Sequence, residues 1–206
     1  MSLTAEQLRA SLDHVAEIEP AFAAAIANAG YPEPRGRNRG AGTMMRAIVG
    51  QQVSVKAAAS IWNKLEITCG GDMDDHARIA ETAIDVLRSA GLSGQKAGYV
   101  QGLAQAVATG QIDFGNLPAD DEAAIVALTA IKGIGRWSAE IYLLFAEGRA
   151  DVFPAGDLAV QIELGKILGL EKRPTEKRTR EIAEPWRPHR GALATFLWHH
   201  YTIAAL

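Results

Sequence analysis

Residues 128–157 read LTAIKGIGRWSAEIYLLFAEGRADVFPAGD, and their reading decides how the rest of the chain is taken. Ahead of them, Asp120-Asp121-Glu122 supplies an acidic first turn, and Ile125, Leu128 and Ile131 recur at helical spacing. A helix over residues 123–131 follows from that pattern. Gly133-Ile134-Gly135 then breaks it, because glycine turns there at low steric cost. Ile141, Leu144 and Phe145 carry a second apolar stripe, so a second helix follows the turn. Its first N–H groups have no helical partners, and with the helix dipole they make a site for an anion. Two readings fit: an ordinary αα-hairpin, which also wants glycine at its turn, or a helix-hairpin-helix that grips a nucleic-acid backbone without reading bases.

The chain has 206 residues, enough for one large domain or two small ones with a real core. Hydrophobic residues make up 48%, which excludes a disordered chain. Alanine and leucine are abundant and no clean alternating run appears, so the expected fold class is all-α. No apolar run reaches transmembrane length, and the N-terminus has no basic-then-apolar signal. The chain is therefore expected to be cytoplasmic, with no membrane partner. Cys69 is the single cysteine, which excludes an internal disulfide and a four-cysteine iron–sulfur cluster. Net charge is −3, so any contact with nucleic acid has to be local rather than a bulk attraction. Lys132 and Arg136 flank the turn, and Arg35, Arg37 and Arg39 lie in a loop. The basic run 172–180 is interleaved with Glu171, Glu176 and Glu181 and reads as a solvated face.

Helices are expected over residues 4–18, where Thr4 and Gln7 fit a capping box, and from Pro20 to a stop at Gly30. Residues 31–42 form a Pro/Gly/Arg loop, a candidate linker or nucleic-acid-facing loop. Residues 43–49 are helical, Gly50-Gln51-Gln52-Val53 intervenes, and Ser54 caps a helix to Leu65. Residues 74–91 and 93–109 form two more helices, in which Lys96 and Tyr99 fit ordinary surface and core roles better than a nucleic-acid-facing one. Residues 157–169 and 175–186 are helical, and Pro188 starts a last helix that runs to the C-terminus.

Three ordered segments, MMRAIVGQQVSVKAAASIW (44–62), LTAIKGIGRWSAEIYLL (128–144) and WRPHRGALATFLWHH (186–200), together with the VFPAGD loop, resemble the helix-hairpin-helix DNA glycosylases. Within that superfamily they are most similar to the alkylation-repair branch, the 3-methyladenine DNA glycosylase II type. The resemblance implies a two-lobed helical bundle with a DNA-binding cleft between lobes, taken as residues 43–125 and residues 1–42 plus 126–206. It implies a monomer acting on double-stranded DNA that contains damaged bases. Relatives often carry a β-rich N-terminal domain, for which this chain is too short, so a compact form is expected.

The resemblance also assigns roles. Asp157 is the catalytic carboxylate, with Asp151 the fallback. Trp137, Trp198 and Tyr142 line the base pocket. Gln52, with Gln51 beside it, enters the DNA stack. Gly133, Gly135, Lys132 and Arg136 meet the DNA backbone. The Thr129, Ile131 and Ile134 carbonyls hold a Na+ or K+ ion; no cofactor is required and no iron–sulfur cluster is expected. Members that also cut the backbone place a lysine where this chain has Trp137, which implies hydrolysis by water without strand cleavage. One turn on, this chain has Ile141 in place of the family's aromatic. His199-His200 does not read as a metal site, because adjacent helical residues point about 100° apart.

The chemistry fits those residue types. Cleaving an N-glycosidic bond builds positive charge on the sugar, and a fixed ionised carboxylate stabilises it. A helix N-terminus favours the ionised form, and Asp157 opens a predicted helix. An aromatic face attracts a cationic alkylated purine and stacks on a flipped base. Two other readings stay open: a glycosylase for a deaminated or oxidised base, and a non-catalytic helix-hairpin-helix DNA-binding module.

Overall fold

The structure is a computed structural model that describes residues 3–204. Among the described residues it holds twelve α-helices and no strand, so the fold is all-α. The chain divides into two compact units. One is Asn38–Tyr142; the other is built from the chain on either side, up to Arg37 and from Leu143 onward.

The discontinuous unit holds α1 (Ala5–Ile18), α2 (Pro20–Ala29), α10 (Leu158–Ile167), α11 (Glu176–Ala183) and α12 (Arg190–Ala204). The capping box forms as its residue types require: Thr4 Oγ1 accepts the Gln7 N–H, and Gln7 Oε1 accepts the Thr4 N–H at 2.9 Å. Leu8, Leu12 and Val15 then face inward at the 4-3 spacing. Pro20 at the first position starts α2, and Gly30, at φ +73°, ends it. Phe22 meets Trp186 edge to face at 5.2 Å. Glu163 is fully buried and tied by Lys166 and His200, both at 2.7 Å. That triad joins α10 to α12, because a buried carboxylate needs its charge answered. His199 turns the other way, its Nε2 2.9 Å from the Ala29 carbonyl.

The continuous unit holds α3 (Ala41–Gly50), α4 (Val55–Thr68), α5 (His76–Glu81), α6 (Ile84–Ser89), α7 (Gly94–Ala108), α8 (Asp121–Thr129) and α9 (Arg136–Tyr142). Its centre is α7, against which α3, α5 and α6 pack. Val100, Leu103 and Ala104 of α7 have no exposed surface.

Three expectations need correction. Residues 74–91 are two short helices, because Thr82 adopts an extended conformation. The break lets Ile79 and Leu87 both bury against α7, and Gln101 of α7 donates to the freed Thr82 carbonyl at 2.8 Å. The last helix begins at Arg190 rather than Pro188, and residues 205–206 lie outside the described residues. The hairpin does not share a unit with Asp157. α9 packs on α8 and α3, so the division falls after Tyr142 rather than at residue 125. There α9 passes into a π-turn, Leu143–Glu147.

The two hairpin glycines have different reasons. Gly133 has φ +97°, and a Cβ there would lie 2.3 Å from Cγ of Tyr99, whereas a Cβ on Gly135 would meet nothing within 4 Å. Gly133→Ala is expected to cost about 3 kcal/mol by strain and overpacking, and Gly135→Ala under about 1 kcal/mol. Urea unfolding of the two variants checks this; equal losses would contradict the packing of Tyr99 on the turn.

Candidate active site

Asp157 is the N-cap of α10. Its Oδ1 accepts the Ala159 and Val160 N–H groups at 2.9 and 3.1 Å, and the Trp198 indole N–H at 3.0 Å. One oxygen thus collects three donors, two of them backbone N–H groups of the first turn of α10, which fix the direction of the carboxylate. The residue is half-buried. The loop before it is pinned from several sides. Val152, Phe153 and Ala155 are buried, Asp157 N–H donates to Pro154 O at 2.9 Å, and Gln161 Nε2 donates to Ala155 O at 2.8 Å. Asp151 is a different carboxylate. Arg190, 5% exposed, grips both its oxygens at 2.8 and 2.9 Å, and Arg187 adds a third bond at 2.7 Å. Two guanidiniums answer its charge, so Asp151 ties the start of the loop to Arg187 and to the first residue of α12.

The three aromatics expected in a base pocket take three positions. Trp198, on α12, directs its indole N–H edge to Asp157, and its ring lies 5.6 Å from Phe145 at 37°. Trp137, in the first turn of α9, is 49% exposed. Tyr142 does not offer a face to a ligand. It is 2% exposed, its ring meets Phe114 edge to face at 5.2 Å, and its hydroxyl accepts the Gly40 N–H at 2.9 Å. Its work is to cap the start of α3 from α9, because the apolar stripe of α9 carries it inward with Ile141.

Around the turn, Gln51, Gln52, Gly133, Ile134 and Gly135 line one polar groove of about 470 Å³, together with Ser93, Gln95, Lys96 and Tyr99. Gln51 Nε2 donates to the Gly133 carbonyl at 3.2 Å, joining the two loops. Gln51 is therefore a brace, and the exposed residue is Gln52. Among the described residues Gln52 alone of the non-glycines has positive φ, +54°. That conformation is strained for a side-chain-bearing residue and concentrates at functional positions. Lys132 is exposed at the turn.

Arg136 is not available as a backbone contact. Its guanidinium forms a fork with Glu122, and its Nε donates to buried Glu140 at 2.9 Å. Those carboxylates raise its pKa, the Glu122 hydrogen bond foremost, and lock α9 to α8. The i,i+4 spacing of Arg136 and Glu140 was the signal in the sequence. The expected carbonyl set is Thr129, Ile131 and Ile134, of which Ile131 O accepts the Ile134 N–H at 3.1 Å.

Residues 45–188 match the HhH-GPD superfamily base excision DNA repair protein family. The chain belongs to that superfamily. It is 33% identical over 169 residues to DNA-3-methyladenine glycosylase 1 of Schizosaccharomyces pombe, covering 78% of this chain and 72% of that protein. A DNA-3-methyladenine glycosidase structure from Bacillus halodurans superposes with a TM-score of 0.84 at 28% identity, covering 95% of this chain and 90% of that one. An S. pombe 3-methyladenine DNA glycosylase in complex with abasic DNA gives 0.76 at 27% identity, covering 95% and 97%.

The two carboxylates separate in a stability measurement. Asp151→Ala leaves Arg190 buried with its main partner gone, and is expected to cost about 3 kcal/mol. Asp157→Asn keeps an oxygen for the same donors and is expected to stay within about 1 kcal/mol of the wild type. Urea titrations of both variants decide whether the loop or the cap carries the load.

Proposed function

We propose that the chain is a monofunctional DNA glycosylase of base excision repair, which flips alkylated purines of the 3-methyladenine and 7-methylguanine type out of double-stranded DNA. The observation that carries this reading is Asp157: a half-buried carboxylate, capped by three N–H donors, on a chain of this superfamily. As the C1′–N bond lengthens, the electron pair leaves with the base and positive charge builds on the sugar. The Asp157 carboxylate stabilises that charge, and the donors on Oδ1 keep its orientation fixed. A water then adds to C1′ and loses its proton, for which Asp157 is the base at hand. An alkylated purine is already cationic and leaves readily, so the reaction asks little acid catalysis of the site. The exposed face of Trp137 suits such a cation.

Gln52, projecting from a strained loop, fills the space that the flipped base leaves and hydrogen-bonds the orphaned partner base. The turn around Gly133 and Gly135, with Lys132, takes a backbone phosphate. The Thr129, Ile131 and Ile134 carbonyls would hold a Na+ or K+ ion, and such an ion would supply positive charge for a phosphate; Ile131 O has a second lone pair for this role. Trp137 in place of a lysine amine leaves water as the nucleophile, so no Schiff base forms and the backbone stays intact. The protein acts as a monomer, in the cytoplasm and, in a bacterium, on the nucleoid.

Single-turnover release of 3-methyladenine and 7-methylguanine from methylated duplex DNA tests the reading. Asp157→Asn is expected to lose about a thousandfold in rate with DNA binding retained, the scale of a lost charge at the reacting centre. The abasic product is expected to carry no strand breaks before alkali. No release from the wild type, with binding intact, would move the function to another lesion or to binding alone.

A further inference from the structure

The loop between α3 and α4 is held by residues that the proposed chemistry does not use. α3 ends at Gly50, which leaves its last carbonyls without helical partners. Lys96, in the first turn of α7, reaches across to them: its Nζ donates to Val49 O at 2.9 Å and to Gln51 O at 2.6 Å. The second bond fixes the peptide plane between Gln51 and Gln52, and that plane sets φ of Gln52. An αL conformation costs a non-glycine residue about 1 kcal/mol or more, so it persists only where the surroundings over-determine it. Lys96 supplies that constraint from one flank. From the other, Gln51 Nε2 holds the Gly133 carbonyl at 3.2 Å. Tyr99, one turn along α7 from Lys96, lies against Gly133 so closely that no Cβ fits there. A single helix therefore registers both the loop and the hairpin turn. Burial holds the Lys96 ammonium below its ordinary pKa, in keeping with a group whose partners are carbonyl dipoles.

We infer that Lys96 is a positioning residue, which holds Gln52 in the conformation that enters the DNA stack and keeps this loop in register with the hairpin turn. The inference rests on the glycosylase reading above and deepens it. A phosphate contact at Lys96 is the competing role. Two of the three ammonium protons are already spent on carbonyls, and the residue is half-buried beside the groove.

The test compares excision of 7-methylguanine placed opposite cytosine with excision of the same lesion opposite a tetrahydrofuran abasic analogue. An unpaired base leaves the stack at lower cost, so it depends less on an inserted side chain. Lys96→Met is expected to lose about tenfold in single-turnover rate on the paired lesion and under about twofold on the unpaired one. Lys96→Arg, which keeps the donors, is expected to stay within about threefold on both. The salt dependence of DNA binding is expected to keep the wild-type slope, whereas a lost phosphate contact lowers it by about 0.9. Lys96→Gln keeps an uncharged amide NH2 group and is read through the same ratio of rates, so the test does not hang on the folding of a single variant. Equal losses on both duplexes with the wild type active, or a slope lowered by one contact, would overturn the inference alone. A wild type inactive on both duplexes would remove the glycosylase reading and the inference with it.

Discussion

Three N–H groups converge on Oδ1 of Asp157, and the rest of its unit is arranged so that they can. Two come from the first turn of α10, which requires the loop of Val152–Gly156 to deliver the chain at a fixed angle. The third comes from Trp198, which requires α12 to lie beside α10. The buried Glu163 triad joins those two helices further along, and the Asp151–Arg190 pair holds the loop's start to the first residue of α12. Each is a buried or half-buried charge answered by a partner, so pulling either partner away would leave an uncompensated charge. The result is a carboxylate whose direction is set by the backbone and by a rigid indole, with little rotational freedom to lose in a reaction.

The other unit uses a different device. The two loops that line its groove are short, and short exposed loops wander unless tied. Here the ties run to one helix. Lys96 and Tyr99 stand one turn apart on α7, and Gln51 closes the triangle to Gly133. Positive φ at Gln52 is the visible residue of that constraint. Charge plays a smaller part than the basic residues around the turn suggest. Arg136 is spent within the protein on Glu122 and Glu140, which leaves Lys132 as the turn's exposed cation and accords with a net charge of −3.

Much of this was legible before any coordinates. Helix starts at Thr4, Ser54, Ser93 and Asp157 follow from local chemistry, because an N-cap side chain bonds a backbone group two or three residues away, and Pro20 starts α2 by its fixed φ. The glycine turn followed from backbone sterics, and the order of three motifs was enough to place the chain in its superfamily. Misreadings arose where a long-range partner overrode local pattern. The 74–91 helix breaks at the extended Thr82, and Gln101, on another helix, satisfies the carbonyl that the break frees. Tyr142 is an aromatic at a plausible spacing, yet the stripe it shares with Ile141 turns it inward.

The amino-acid sequence by itself therefore determined the helix caps, the hairpin and most helix boundaries, since all of these depend on residues within a turn or two of each other. Only the tertiary structure decided which side chains are spent and which are presented. Trp198 faces Asp157 across 41 positions, Lys96 reaches Gln51 across 45, and Gln51 meets Gly133 across 82. No local period encodes such pairings. They exist because burying one apolar face of each helix brings distant polar groups together, and a buried polar group must find its partner wherever the packing has put one.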